Sequence, residues 1–367
     1  MTSTSNRQEN CNYPAWSESD LGLLSSYHLE ELNQLVSHEL RTPLTAIRGA
    51  LGLLASGRLQ GYSEQSQRLL AIAMSNTERL IRLTQAIENE PGIPITLVSG
   101  AAMSRLRLEL DLRNAITQAH FLVFFQPIVE LKSGRIKGFE ALARWQHPER
   151  GWISPGEFIT LAEEIGLIHD LGLLVLRQSC LQLAAWQQQI PEAQDLYVSV
   201  NLSTTQLSEP HLISQIWDIL TETGVAARSL RLEITESAVL DRSPAALACL
   251  KQLQSLGIQL YLDDFGTGYS SLARLQEIPV DVLKIDRSFV STQNWHLIKV
   301  IVMLASGLGL DIIVEGVETS EELAQIQTLD CHLVQGYFFS KPLNSAQATA
   351  LLKTAPWQQQ AIAEVGV

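Results

Sequence analysis

The sequence predicts an α/β protein: a TIM-type (β/α)8 barrel whose first strand runs antiparallel, preceded by a two-helix dimerisation hairpin. Three observations carry this reading. Over residues 103–356, eight short apolar runs alternate with helical stretches, the order of a barrel of about 250 residues. The first connection, Glu130-Leu-Lys-Ser-Gly-Arg135, is too short for a crossover helix, so the first two strands form a hairpin. Ahead of the barrel, over 27–90, apolar residues recur at three- and four-residue steps.

The bulk composition fits a folded chain. Of 367 residues, 46% are hydrophobic and 18% charged. A net charge of −13 disfavours nucleic-acid polymers and anionic membranes, but leaves room for a small phosphate ligand offset by metal ions. Cys11, Cys180, Cys249 and Cys331 have neither metal-type spacing nor disulfide density, which points to reduced thiols in the cytoplasm. The N-terminus is polar, with no signal segment, and the apolar stretch 300–314 is too broken by Ser306, Gly307, Gly309 and Asp311 to span a bilayer.

In chain order, residues 1–26 are polar and aperiodic and read as a disordered tail. Residues 27–90 follow. Leu29, Leu32, Val36, Leu40, Leu44 and Ile47 form one apolar stripe, and Leu69, Ile72, Leu80, Leu83 and Ile87 a second, with Gly57 and Gly61 between. Two amphipathic helices cannot bury such stripes alone, and pairing with a second copy gives a four-helix bundle, so a homodimer is expected. The Pro- and Gly-containing stretch 91–102 reads as a linker. Strands are expected at 122–129, 137–143, 197–202, 230–235, 258–263, 282–285, 312–315 and 333–337. Helices are expected at 161–189, 212–223, 245–256, 295–308 and 321–329, and residues 357–367 form a C-terminal tail.

A barrel places its chemistry at the carboxyl ends of its strands. Those ends carry Glu140, Asn201, Glu233, Asp263 with Asp264, Lys284, Glu315 and Gln335. Adjacent carboxylates such as Asp263 and Asp264 repel unless a cation lies between them or both accept from backbone N–H groups in a turn. Glu140, Asn201, Glu233, Asp263 and Asp264 offer only oxygen ligands, without Cys or His, which favours Mg²⁺ or Mn²⁺ over zinc. So many acids suit two ions, about 3.5–4 Å apart, the arrangement used in phosphoester cleavage. Lys284 and Glu315 would then act on the attacking water and the developing charge.

Seven motifs in order resemble the EAL family of cyclic di-GMP phosphodiesterases. They are Phe125-Gln-Pro-Ile-Val129, Glu140-Ala-Leu142 with Arg144, Val200-Asn-Leu-Ser203, Leu232-Glu-Ile-Thr-Glu236, Asp263-Asp-Phe-Gly-Thr-Gly268 with Leu283-Lys-Ile-Asp286, Glu315-Gly-Val-Glu-Thr319, and Gln335-Gly-Tyr337 with Lys341-Pro342. The resemblance covers 103–356. It implies hydrolysis of cyclic di-GMP to 5′-pGpG, with Glu140, Asn201, Glu233 and Asp263 on a first metal ion. Asp263 would bridge to a second ion beside Asp264, Lys284 would position the water, and Glu315 would be general base or metal ligand. Glu236 would anchor the loop after Asp264, and Glu318 would be a supporting acid. Gln126, Leu142, Arg144, Gln335 and Pro342 would line the dinucleotide site. The chain departs from the family pattern at Asp330, where glycine is usual, and at Leu207, where an aromatic is common. No diguanylate cyclase signature occurs.

In the hairpin, Ser37-His-Glu-Leu-Arg-Thr-Pro-Leu-Thr-Ala-Ile47 resembles the phosphoacceptor box of histidine-kinase dimerisation domains. His38 would be the phosphoacceptor, Glu39 its acid/base neighbour and Pro43 the helix kink. No ATP-binding domain is read after it. The hairpin therefore either only dimerises and relays, or takes phosphate on His38 from a partner kinase or response regulator.

Overall fold

The computed structural model describes residues 95–118, 120–235, 244–266 and 278–354, with the single positions 47, 275 and 357. The expected tails, the expected hairpin with His38, and Glu236 fall outside the described residues. The chain divides into two compact units, Met1–Arg105 and Leu106–Val367.

Helix α1 spans Ile95–Thr117. Residues 95–102, expected as part of a linker, are thus the first turns of this helix. The helix breakers Pro91, Gly92 and Pro94 all precede Ile95, and only Gly100 interrupts helix-forming residues afterwards. From α1, Leu108, Leu112 and Ala115 are buried in the core.

Nine strands make one sheet: β1 (Phe121–Glu130), β2 (Arg135–His147), β3 (Gly151–Ile153), β4 (Tyr197–Asn201), β5 (Leu230–Thr235), β6 (Gln259–Phe265), β7 (Val282–Ile285), β8 (Asp311–Val314) and β9 (Leu333–Gln335). Their order is β1-β9-β8-β7-β6-β5-β4-β2-β3, and a β1–β2 pairing closes eight of them into a barrel. β1 is antiparallel to both neighbours, β2 and β9, as the short first connection requires. The remaining barrel pairs are parallel. β3, which periodicity did not predict, pairs antiparallel with the last three residues of β2.

The later helices are α2 (Pro155–Glu164), α3 (Ile168–Gln189), α4 (Leu212–Thr223), α5 (Pro244–Ser255), α6 (Arg287–Ser291), α7 (Trp295–Leu308), α8 (Ser320–Gln327) and α9 (Ser345–Thr354). The single helix expected over 161–189 is two. Gly166 adopts φ +72°, Leu167 N–H donates to Ala162 O (2.7 Å) and Gly166 N–H to Glu163 O (3.3 Å). This pairing of bonds closes a helix at a glycine.

Strand alternation sorts the barrel interior into layers. On the inward face, Tyr197, Ser199 and Asn201 follow one another along β4, Arg231 and Glu233 along β5, Tyr261 and Asp263 along β6, and Val282 and Lys284 along β7. Ile128, Tyr197, Tyr261, Val282 and Ile313 pack together as the lower layer. A Cβ at Gly138 would lie 2.3 Å from Tyr197 Cε2, so glycine there makes room for the ring. Outside the sheet, Phe125, Phe139 and Trp186 pack against one another between β1, β2 and α3, two of the three ring pairs edge to face. The apolar lower layer leaves the charged residues above it in a poorly hydrated setting.

Candidate active site at the carboxyl ends of the strands

Lys284, 1% exposed, is the centre of the site. Its Nζ lies 2.6 Å from Glu315 Oε1, 2.7 Å from Glu233 Oε2, 3.1 Å from Asp263 Oδ1 and 3.6 Å from Glu140 Oε2. Four strands and the residue after β8 thus deliver one ammonium and four carboxylates to one point. Register makes this possible: Asn201 pairs with Glu233, and Thr235 with Asp263, along adjacent parallel strands.

Glu140 is held from two sides. Asn201 Nδ2 donates to Oε1 (3.0 Å) and Gln335 Nε2 to Oε2 (2.6 Å). Gln335 Nε2 also lies 3.2 Å from Gln126 Oε1, and Gln126 Nε2 donates to Ser340 O (3.3 Å). Gln126 and Gln335 were expected to line a ligand site. Both are buried, and their side-chain bonds go to each other, to Glu140 and to the backbone.

Asp263 and Asp264 would face opposite sides of a regular strand. They do not, because the β6–β7 register shifts between Leu262 and Phe265, and Asp264 takes φ +55°. Asp tolerates the left-handed region better than most residues. As a result Asp263, Asp264 and Glu315 each bring a carboxylate oxygen within 4.8 Å of the others.

The electrostatics show an excess of negative charge. Burial pushes Glu233 well above the ordinary carboxylate range, with Glu140 adding to the effect. Burial also lifts Glu315 to about 8. Asp264 is raised by burial and by Asp263. Burial would lift Glu140 too, but Lys284 and the bonds from Gln335 and Asn201 hold it low. Burial opposes charge on Lys284, yet Asp263, Glu140, Glu233 and Glu315 keep it firmly protonated. Glu233 Oε1 is buried without a hydrogen-bond partner among the described residues. One ammonium among five carboxylates, with an orphaned buried carboxylate oxygen, fits hard divalent cations. Asp263, Asp264 and Glu315 make one group of converging carboxylates, while Glu140, Glu233 and Asp263 meet around Lys284 Nζ and Asn201 turns its amide nitrogen to Glu140.

The remaining expected residues are more spread. Leu142 and Arg144 lie two and four residues past Glu140 on β2, on the same strand face. The Arg144 guanidinium donates to Ala143 O (2.8 Å) and sits 5.7 Å from the Phe124 ring centre. Pro342 is half-buried in a segment tied to β1, where Phe125 and Leu343 exchange backbone bonds of 2.7 and 2.9 Å. Glu318 is exposed outside the carboxylate cluster, and its N–H donates to Glu322 Oε2 (2.7 Å). Periodicity did not reveal that Gln126 and Gln335 fasten Glu140. The available signal was their position on inward faces beside it.

This arrangement defines a class: a (β/α)8 barrel with a buried, lysine-centred cluster of carboxylates fit for divalent cations at its strand ends. Residues 109–342 match the EAL domain model, and the chain belongs to that family. Residues 28–89 match the His Kinase A (phospho-acceptor) domain model. The chain is 41% identical over 256 residues to uncharacterised protein y4lL of Sinorhizobium fredii, covering 68% of this chain and 30% of that protein. It is 38% identical over 257 residues to cyclic di-GMP phosphodiesterase NbdA of Pseudomonas aeruginosa, covering 69% and 33%. The chain thus spans about a third of the length of these relatives. Among solved structures, PaMucR phosphodiesterase in complex with c-di-GMP superposes with a TM-score of 0.63 at 36% identity, covering 66% of this chain and 99% of that one.

Proposed function

We propose that this barrel is a phosphodiesterase that hydrolyses cyclic di-GMP to linear 5′-pGpG with Mg²⁺ or Mn²⁺. The observation that carries the reading is Lys284 within 3.6 Å of four carboxylates at the strand ends. The names of NbdA and PaMucR supply the substrate class. Glu140, Asn201, Glu233 and Asp263 would hold one ion, and Asp263 with Asp264 a second, with Glu315 adjacent. Bound there, the ions supply Lewis-acid polarisation of the phosphodiester and of water.

The side chains do the rest. Lys284 Nζ orients the water and offsets charge on the phosphoryl oxygens. Glu315 Oε1, 2.6 Å from Lys284 Nζ, is placed beside that water to take its proton. The water oxygen bonds to phosphorus in line, the bond from phosphorus to the 3′-oxygen breaks, and the proton ends on that 3′-oxygen. Arg144 donates to phosphate, and Leu142 and Pro342 line the nucleotide. Gln126 and Gln335 act by orienting Glu140. Glu236 anchors the loop after Asp264, and Glu318 supports it from outside the cluster.

The N-terminal segment, which matches a phospho-acceptor family, would regulate the barrel as a homodimerising hairpin that either only relays or also takes phosphate on His38 from a kinase or response-regulator partner. A cytoplasmic setting agrees with Cys180, Cys249 and Cys331 being free thiols. It also agrees with the absence, among the described residues, of any helix long and apolar enough to cross a membrane.

The test is direct. The purified chain is incubated with cyclic di-GMP and Mg²⁺ or Mn²⁺, beside an Asp263→Asn variant, and products are separated by ion exchange. Formation of pGpG by the wild type alone is expected. Full turnover by Asp263→Asn, or none by the wild type, overturns the reading.

A further inference from the structure

β2 runs seven residues past Glu140, and β3 folds back on its end. Alternation and pairing fix which side chains share a face. Glu140, Leu142, Arg144 and Gln146 point one way from β2; Gln126, Phe124 and Leu122 are their partners on β1 from Glu140 to Arg144, and Trp152 pairs with Gln146. Trp152 therefore stands on the face that carries Glu140. It is 55% exposed, and its ring lies 5.8 Å from Phe124, nearly perpendicular to it. Phe124 is opposite Leu142, only two residues, about 7 Å of strand, from Glu140. The Arg144 guanidinium lies over the same Phe124 ring. A cation suited to phosphate and an open aromatic surface are thus side by side, above the carboxylates.

The hairpin that presents Trp152 is fixed. His147 Nδ1 accepts from the N–H groups of Glu149 and Arg150 (3.1 Å each), which leaves Nε2 to donate to Asp111 Oδ2 (3.1 Å). On the opposite face, Trp145 and Ile153 are buried in the core. A large aromatic side chain held in water on a rigid support is preorganised for a flat ligand.

We propose that Trp152, backed by Phe124, is a stacking platform for one nucleobase of the dinucleotide. Arg144 would take the adjoining phosphate. This inference rests on the substrate class proposed above, and adds a residue that selects a base-bearing phosphodiester. Bases stack on aromatic side chains regardless of sequence, and loss of one such contact weakens binding about tenfold.

The experiment uses the full chain and its Trp152→Ala and Trp152→Phe variants. Affinity for cyclic di-GMP is measured by calorimetry in EDTA, and KM and kcat are measured with Mg²⁺. The expected result is a Kd and KM about tenfold higher for Trp152→Ala, with kcat within twofold and the melting temperature unchanged. Trp152→Phe should restore most of the affinity, and tryptophan fluorescence quenched by the ligand in the wild type should respond less in both variants. A Kd for Trp152→Ala within twofold of wild type overturns the platform. If the wild type binds but does not hydrolyse, the activity reading fails, and the Kd comparison still decides Trp152. A wild type that neither binds nor hydrolyses cyclic di-GMP overturns both.

Discussion

Lys284 shows how one side chain couples stability and chemistry. Its four carboxylate neighbours are tolerable in a dry site only because the ammonium is there. Lys284→Met should abolish hydrolysis. It should also destabilise the metal-free protein by about 3–5 kcal/mol, the cost of leaving buried charge unpaired. Urea denaturation in EDTA measures this, and a loss below about 1 kcal/mol would show that the acids do not depend on the lysine. Asp330 is a second test at this scale. It stands where the family usually has glycine, and it adopts φ +59°. The left-handed region costs a side-chain-bearing residue about 1–2 kcal/mol, against roughly 0.5–1 kcal/mol for the greater freedom glycine loses on folding. Asp330→Gly should therefore stabilise the fold by about 0.5 kcal/mol without changing turnover; a destabilised variant in thermal melts would refute the balance. The site's composition was legible in the sequence because acids and a lysine interrupt apolar strands at matching ends. The backbone irregularity that brings the Asp264 carboxylate beside Asp263 and Glu315 was not, since it depends on a register shift against β7 that no local pattern encodes.

Among the elements, α8 follows the second half of the site and is set by a local device. Thr319 Oγ1 accepts from Glu322 N–H (3.2 Å), while Glu322 Oε2 accepts from the N–H groups of Thr319 (3.0 Å) and Glu318 (2.7 Å). This capping box fixes the turn that leads from Glu315 into the helix. Thr319→Ala should lower stability by about 1 kcal/mol, read by chemical denaturation, with kcat nearly unchanged. A large fall in kcat at wild-type stability would mean that the turn positions Glu315 rather than merely starting α8. The alternation of strands and helices was readable because each barrel strand is a short apolar run bounded by turn residues. The break between α2 and α3 was harder to read, because the apolar period resumes in step after Gly166. β3 has only three residues and exists through its pairing with β2, so it leaves no periodic trace. Helix α1 was hidden by the prolines and glycine just before it, which mark where a helix cannot continue but not how soon one begins.

For the whole molecule, the relevant question is how much of the chain the barrel's chemistry needs. Among the described residues, the side chains that meet at the candidate site lie between Gln126 and Pro342, inside the unit Leu106–Val367. That unit nevertheless depends on α1. Leu112 is fully buried, Leu108 and Ala115 nearly so, and Asp111 fastens His147 at the end of β2. A chain beginning at Ile95 keeps all of these contacts, whereas one beginning at Gln118 loses them and exposes the apolar surface that α1 covered. Removing a buried leucine from a core costs about 2–5 kcal/mol, and two are removed here, a large part of the marginal stability of a domain. Residues 95–367 should therefore fold and hydrolyse cyclic di-GMP with a KM within about threefold of the full chain, while residues 118–367 should be insoluble or unfolded by circular dichroism. The two truncations separate regulation from construction. A folded but inactive 95–367 would mean that the N-terminal segment completes the site, and a folded, active 118–367 would mean that α1 is dispensable to the barrel.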